Sequence, residues 1–205
     1  MKRTISFSAL LLFAISLVLW QSFIRSANAV LPEVGNLEPP SAITGELPTD
    51  EWLHFTTTHR DADGIGDIWQ ANLYFLTPEL PERSGYFHYH LRDRRPFRPN
   101  RLWVGVRGGH GIYLSAQCTP GEPKIITTFD PSVSLDCSQT SVEQDTTTGT
   151  VTVHWTVKFF SYVKRLHHPH IPWWVGRTAD AYVETRDSTP SRGVKRDTYK
   201  FQFKP

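Results

Sequence analysis

Long apolar runs are missing from most of this chain. After residue 29 none approaches the roughly 20 residues that a membrane-spanning helix needs, so no span is expected in the body of the chain. Net charge is scarce too. The 22 Lys and Arg against 20 Asp and Glu give +2. Lys2, Arg3 and Arg25 lie in an N-terminal segment without acids, and setting it aside leaves 19 basic against 20 acidic residues, net −1. Such a balance exerts no general attraction on nucleic acid or an anionic membrane, and no nucleic-acid partner is expected. Helical periodicity is absent over any useful length, as is a repeat of fixed period. The sequence has no G-x-S-x-G and no H-E-x-x-H. Ser161-x-x-Lys164 matches a penicillin-binding nucleophile motif by letters only. It falls at a strand end, without the helix and companion motifs that the chemistry requires. Methionine occurs once and cysteine twice.

What is present begins with an export signal. Lys2 and Arg3 precede a nearly unbroken apolar run, Ile5 to Trp20, and Ala27-Asn28-Ala29 supplies an A-x-A cleavage site. That order predicts a signal peptide over 1–29, with an uncleaved anchor as the alternative. The mature protein is expected in the periplasm or the medium, with no membrane span once the leader is cut. Val30 to Pro48 holds four prolines and few bulky residues. It reads as a linker over 30–50, with the folded domain at 51–205. In an oxidising compartment Cys118 and Cys137 pair by default, closing a loop worth about 3 kcal/mol.

Aromatic and β-branched residues are plentiful, which favours sheet. Period-two alternation marks the strands. In the clearest, Val151, Val153, Trp155, Val157 and Phe159 face one way, and Thr152, His154, Thr156 and Lys158 the other. Tyr199, Phe201 and Phe203 alternate with lysines and Gln202. Trp69, Ala71, Leu73 and Phe75 are expected to share one face. Phe87, Tyr89 and Leu91 alternate with His88, His90 and Arg92, which are expected to face solvent. Leu102 to Val106 and Ala181 to Thr185 add shorter strands. Seven or more strands between turn signals predict an all-β, antiparallel β-sandwich.

Between two strands lies Asp61-Ala-Asp63-Gly-Ile-Gly-Asp67. Asp61, Asp63 and Asp67 could converge on calcium, with carbonyls or water completing the shell. The same residues also suit a tight turn, where Asp side chains accept backbone N–H bonds and glycine takes positive φ. Phe55-Thr-Thr-Thr, then this turn, Asn72-Leu73, Asn100-Arg-Leu-Trp-Val, Asp136-Cys137 and Ala181 to Asp187 together resemble an immunoglobulin-like β-sandwich domain of bacterial secreted and cell-surface proteins. The resemblance runs over roughly 52 to 190 as scattered short motifs. Cys118 and the His- and Trp-rich stretch Ser161 to Gly176 depart from it. It implies the fold and export, and no catalysis.

Two segments could carry function. Arg92, Arg94, Arg95, Arg98 and Arg101 are opposed only by Asp93, and Pro96 and Pro99 keep the segment out of a ladder. Guanidinium forks match anionic groups. Trp173 and Trp174, in a proline-bounded stretch, could stack on sugars or plug the core. Arg94, Arg95, Arg98, Trp173 and Trp174 are therefore the expected contacts for a glycan, an envelope component or a protein partner. His88 and His90, with His167, His168 and His170, would suit zinc or copper only if they met. The leading expectation is an exported, non-enzymatic binding module. The alternatives are an exported hydrolase using His and carboxylate groups, and a calcium-stiffened structural domain.

Overall fold

The computed structural model describes residues 31–38, 46–77, 84–92, 99–108, 111–129, 131–165, 168–172, 174–187 and 194–205. The expected leader over 1–29, the loop arginines Arg94, Arg95 and Arg98, His167 and Trp173 lie outside them. In chain order the strands are β1 (Glu33–Glu38), β2 (Glu46–Pro48), β3 (Trp52–Arg60), β4 (Ile68–Leu76), β5 (Gly85–His90), β6 (Arg101–Gly108), β7 (Gly111–Cys118), β8 (Ile125–Thr127), β9 (Val133–Asp136), β10 (Ser141–Asp145), β11 (Thr150–Phe159), β12 (Tyr162–Arg165), β13 (His168–Pro172), β14 (Thr178–Asp187) and β15 (Val194–Lys204). No helix among the described residues is long and apolar enough to cross a membrane.

Two sheets carry the fold. One is six-stranded, ordered β1-β3-β11-β9-β8, with β10 also on β11. The other is seven-stranded, ordered β2-β15-β14-β4-β5-β6-β7. β12 and β13 form a separate hairpin. The pairing is antiparallel except between β2 and β15. β3 and β11 pair from Trp52↔Lys158 to Arg60↔Thr150. The alternation in β11 sends Val151, Val153, Trp155, Val157 and Phe159 into the core, all fully buried. Phe75, Phe87, Phe201 and Phe203 meet them from the seven-stranded sheet. The Phe75 and Phe159 ring centres are 4.7 Å apart, and those of Phe87 and Trp155 6.2 Å. Two inner faces closing over one aromatic layer make the fold a β-sandwich. The expected Cys118–Cys137 bond is present and ties the end of β7 to the chain just after β9.

The core also holds one polar chain. Trp155 Nε1 donates to Thr57 Oγ1 at 2.9 Å. His59 Nε2 bonds the same hydroxyl at 2.9 Å, and its Nδ1 bonds Thr185 Oγ1 at 2.8 Å. Thr57 and His59 belong to one sheet and Thr185 to the other, so the imidazole joins the two layers. Burial holds the His59 pKa down to about 3.

Three expectations are corrected. The stretch read as a linker contributes β1 and β2, one to each sheet. Leu37 and Leu47 there are buried in the core. Pro48 is compatible with this because it ends β2 at the edge of its sheet, where a missing N–H is tolerated. Trp69 does not share a face with Ala71. A bulge in the β14–β4 pairing, where Arg186 opposes Gln70 but Asp187 opposes Ile68, sends Ile68 to the core and frees Trp69 from it. Trp174, expected to contact a ligand, is fully enclosed. Its ring packs 4.8 Å from Phe159 and 4.9 Å from Phe203, and Nε1 donates to the Ser132 carbonyl at 3.0 Å.

Candidate functional site

The acidic turn is built by its own backbone. Asp63 N–H donates to Asp61 Oδ1 at 2.8 Å, Gly64 N–H to the Asp61 carbonyl, and Asp67 N–H to the Gly64 carbonyl. Gly64 has φ of 103°, in the left-handed region. Burial raises the Asp61 pKa. The Asp63 N–H opposes that shift, and the charges of Asp63, Asp67 and Asp187 add to it. These bonds make Asp61 to Asp67 a tight turn, and among the described residues no group of three His, Cys, Asp or Glu is placed to hold a metal. The exposed Arg92 reaches this turn. Its Nη2 lies 2.7 Å from where a Gly66 Cβ would stand.

A denser arrangement lies on the outer face of the seven-stranded sheet. Because β14, β4, β5 and β6 are adjacent and in register, their outward residues line up in three rungs. The first is Tyr182–Tyr74–Tyr86. The second is Glu184–Asn72–His88–Trp103, and the third Arg186–Gln70–His90–Arg101. Outward residues on a half-buried sheet normally meet water, and His88 and His90 were expected to. Instead every residue of β5 is buried, and so are Gln70, Asn72 and Tyr74. Trp103, Tyr182, Glu184 and Arg186 are half-buried around them.

The rungs are cross-linked by aromatic packing and by one carboxylate. Tyr74 packs at a tilt 4.6 Å from Tyr182 and meets Tyr86 edge-on at 5.0 Å and His88 edge-on at 5.4 Å. Trp69, aimed outward by the bulge, meets the His90 ring edge-on at 5.9 Å. Glu184 Oε2 accepts from the Tyr74 hydroxyl at 2.7 Å, from Arg186 Nε at 2.9 Å and from Asn72 Nδ2 at 3.1 Å. Burial, and then the Glu184 charge, push the Tyr74 hydroxyl well above its usual pKa, so it remains a donor. With its oxygens so committed, Glu184 ties Tyr74, Asn72 and Arg186 of the three rungs together.

Some of the enclosed polar atoms on this face have no hydrogen-bond partner among the described residues. Gln70 Nε2 lies 2.8 Å from His90 Nε2, but Gln70 Oε1 has no hydrogen-bond partner among the described residues. The same holds for Asn72 Oδ1 and for both ring nitrogens of His88. Burial, with the nearby His90 and Arg186 adding to it, holds the His88 pKa well below the ordinary value. Burial and then Arg186 lower that of His90 to about 4. Both rings are therefore neutral at physiological pH, and each offers one donor and one acceptor. Enclosed polar atoms are almost always paired, because leaving one unpaired costs about 1–3 kcal/mol. Two amide oxygens and an imidazole without partners, side by side, mark this face as the candidate site.

No family model and no curated protein matches this chain. The site therefore rests on its geometry. Of the residues expected from sequence to touch a ligand, Trp174 is enclosed in the core. Arg94, Arg95, Arg98 and Trp173 lie outside the described residues. Sequence reading missed the rungs. The signal was there in outward positions too rich in aromatic and amide groups (Tyr74, Tyr86, Trp103, Tyr182, Asn72, Gln70) for an ordinary wetted sheet.

Proposed function

We propose that this chain is an exported, non-enzymatic β-sandwich module. It captures a glycan, another envelope component or a protein on the outer face of the seven-stranded sheet, with Arg94, Arg95 and Arg98 as further contacts. The observation that carries the reading is the concentration of unpartnered polar atoms and half-buried aromatic rings on that one face. A rigid sheet holds such groups in fixed register without a folding cost on binding. Two packed, largely antiparallel sheets support the immunoglobulin-like kinship as part of the same proposal. The disulfide and the lack of a long apolar helix among the described residues are compatible with a place outside the cytoplasm.

The test is binding of the purified exported protein to envelope fractions and to panels of neutral and anionic glycans. Tryptophan emission should report binding, because Trp69 and Trp103 lie on the face. One class should bind. Trp103→Ala, or alanine at Arg94, Arg95 and Arg98 together, should weaken it at least tenfold with the fold intact. Retained binding in both variants would remove the reading.

A further inference from the structure

We infer that the floor formed by Gln70, Asn72 and His88 seats an uncharged sugar ring, whose hydroxyls donate to Gln70 Oε1 and Asn72 Oδ1 and bond the two nitrogens of His88. This deepens the proposed function and rests on it.

The ligand chemistry follows from what the floor leaves unsatisfied. Gln70 Oε1 and Asn72 Oδ1 are acceptors only, and they call for O–H or N–H donors. His88 calls for one donor and one acceptor. A hydroxyl is both at once. The charged groups lining the floor are already paired: Glu184 and Arg186 bind each other through two contacts, at 2.9 and 3.3 Å, and Arg101 at the end of the third rung lies 4.0 Å from Glu122. An uncharged ligand is thus favoured over an acid or an amine.

Spacing and shape point the same way. Gln70 and Asn72 are alternate residues of β4, so they stand about 6.8 Å apart along the strand. His88 lies directly across from Asn72 on β5, about 5 Å away. A triangle of that size matches the hydroxyls around a single six-membered ring. Trp103, half-buried and opposite His88 in the β5–β6 pairing, supplies a flat face for the C–H side of the ring. An extended peptide suits this surface poorly. It would seek the open ladder of a sheet edge, and this is the middle of a sheet. The unpartnered atoms are enclosed in the free protein. Access requires side-chain movement, and the half-buried Trp103 and Arg186 at opposite flanks of the floor are placed to give it.

The experiment is an NMR titration of the full exported protein, following the ¹⁵N resonances of the His88 ring. The probes are cellobiose, maltose and N,N′-diacetylchitobiose, set against sulfated and uronate disaccharides. At least one uncharged probe should shift the His88 ring. His88→Phe, which removes both nitrogens while keeping a ring, should weaken that binding at least tenfold. Because it removes unpartnered polar atoms, it should leave the melting temperature unchanged or raised. His88→Gln, which keeps one donor and one acceptor, should bind within about threefold of the parent. Sugar binding unaffected by His88→Phe would overturn the inference. So would a His88 ring unmoved by every uncharged probe, which would leave ordered water as the only occupant of the floor. Capture of anionic glycans or envelope fractions under those circumstances would preserve the binding-module reading and discard the sugar floor alone. Binding by none of the probes or fractions would discard both.

Discussion

Thr57 and Thr185 grip the His59 ring from opposite sheets, and the fold keeps that ring neutral far below the pH at which a free histidine charges. An unfolded chain takes up a proton on His59 near pH 6.5, and the folded one only near 3. His90 behaves alike, with a folded value of about 4. Below pH 6.5 the unfolded state therefore binds more protons, so stability is complete above 6.5 and falls as the pH is lowered towards 4. Each group contributes a slope of up to about 1.4 kcal/mol per pH unit. Urea midpoints between pH 6.5 and 5 should show the decline, and His59→Gln should flatten it by one group's share. Trp174 makes a second prediction. Emptying its place between Phe159 and Phe203 should cost about 3–5 kcal/mol in denaturant titration. Ligand binding by the folded fraction should be unchanged, because this ring faces the core.

At the scale of elements, the N-terminal strands behave as parts of the sandwich. Leu37→Ala in β1 should cost about 2–5 kcal/mol, where a linker residue would change stability by less than about 0.5 kcal/mol. Chemical denaturation separates the two outcomes. The acidic turn has its own point of strain. Gly149 sits at φ 69°, and a Cβ there would lie 2.2 Å from the Asp61 carbonyl oxygen. Gly149→Ala should therefore destabilise by roughly 1–3 kcal/mol, since both the dihedral and the contact oppose it. Thermal melting would show it. The Trp69 bulge shows where element-level reading stops. Alternation in β4 predicted Ala71, Leu73 and Phe75 correctly, and it failed only at Trp69. A bulge is decided by the partner strand β14, which lies more than a hundred positions away.

For the molecule as a whole, alternation was enough to predict two sheets over an oily layer and to send Trp155 and Phe201 inside it. The expectation of an oxidising compartment was enough to predict the Cys118–Cys137 bond that the structure holds. The candidate site was not legible in that way. A rung such as Glu184–Asn72–His88–Trp103 draws on four strands whose neighbours are set by the sheet order, and no local pattern encodes that order. His88 in particular looked like a wetted side chain until the sheet and its rim enclosed it. The disulfide also makes a whole-molecule prediction. Replacing both cysteines with serine should cost about 3 kcal/mol on the loop-entropy model, seen as a lower denaturant midpoint.

That bond also sets a kinetic asymmetry. The nearest end of the β3–β11 pairing joins Arg60 to Thr150, 90 positions apart. The Cys118–Cys137 link cuts 19 positions out of the intervening path. Closure entropy grows only with the logarithm of length, so the shortcut eases the meeting of those strands by about 0.2 kcal/mol. Oxidised and reduced chains should therefore assemble at rates within twofold of each other in stopped-flow refolding. The bond's benefit should appear almost wholly as slower disassembly, which makes it a lock on the finished protein and not a guide to reaching it.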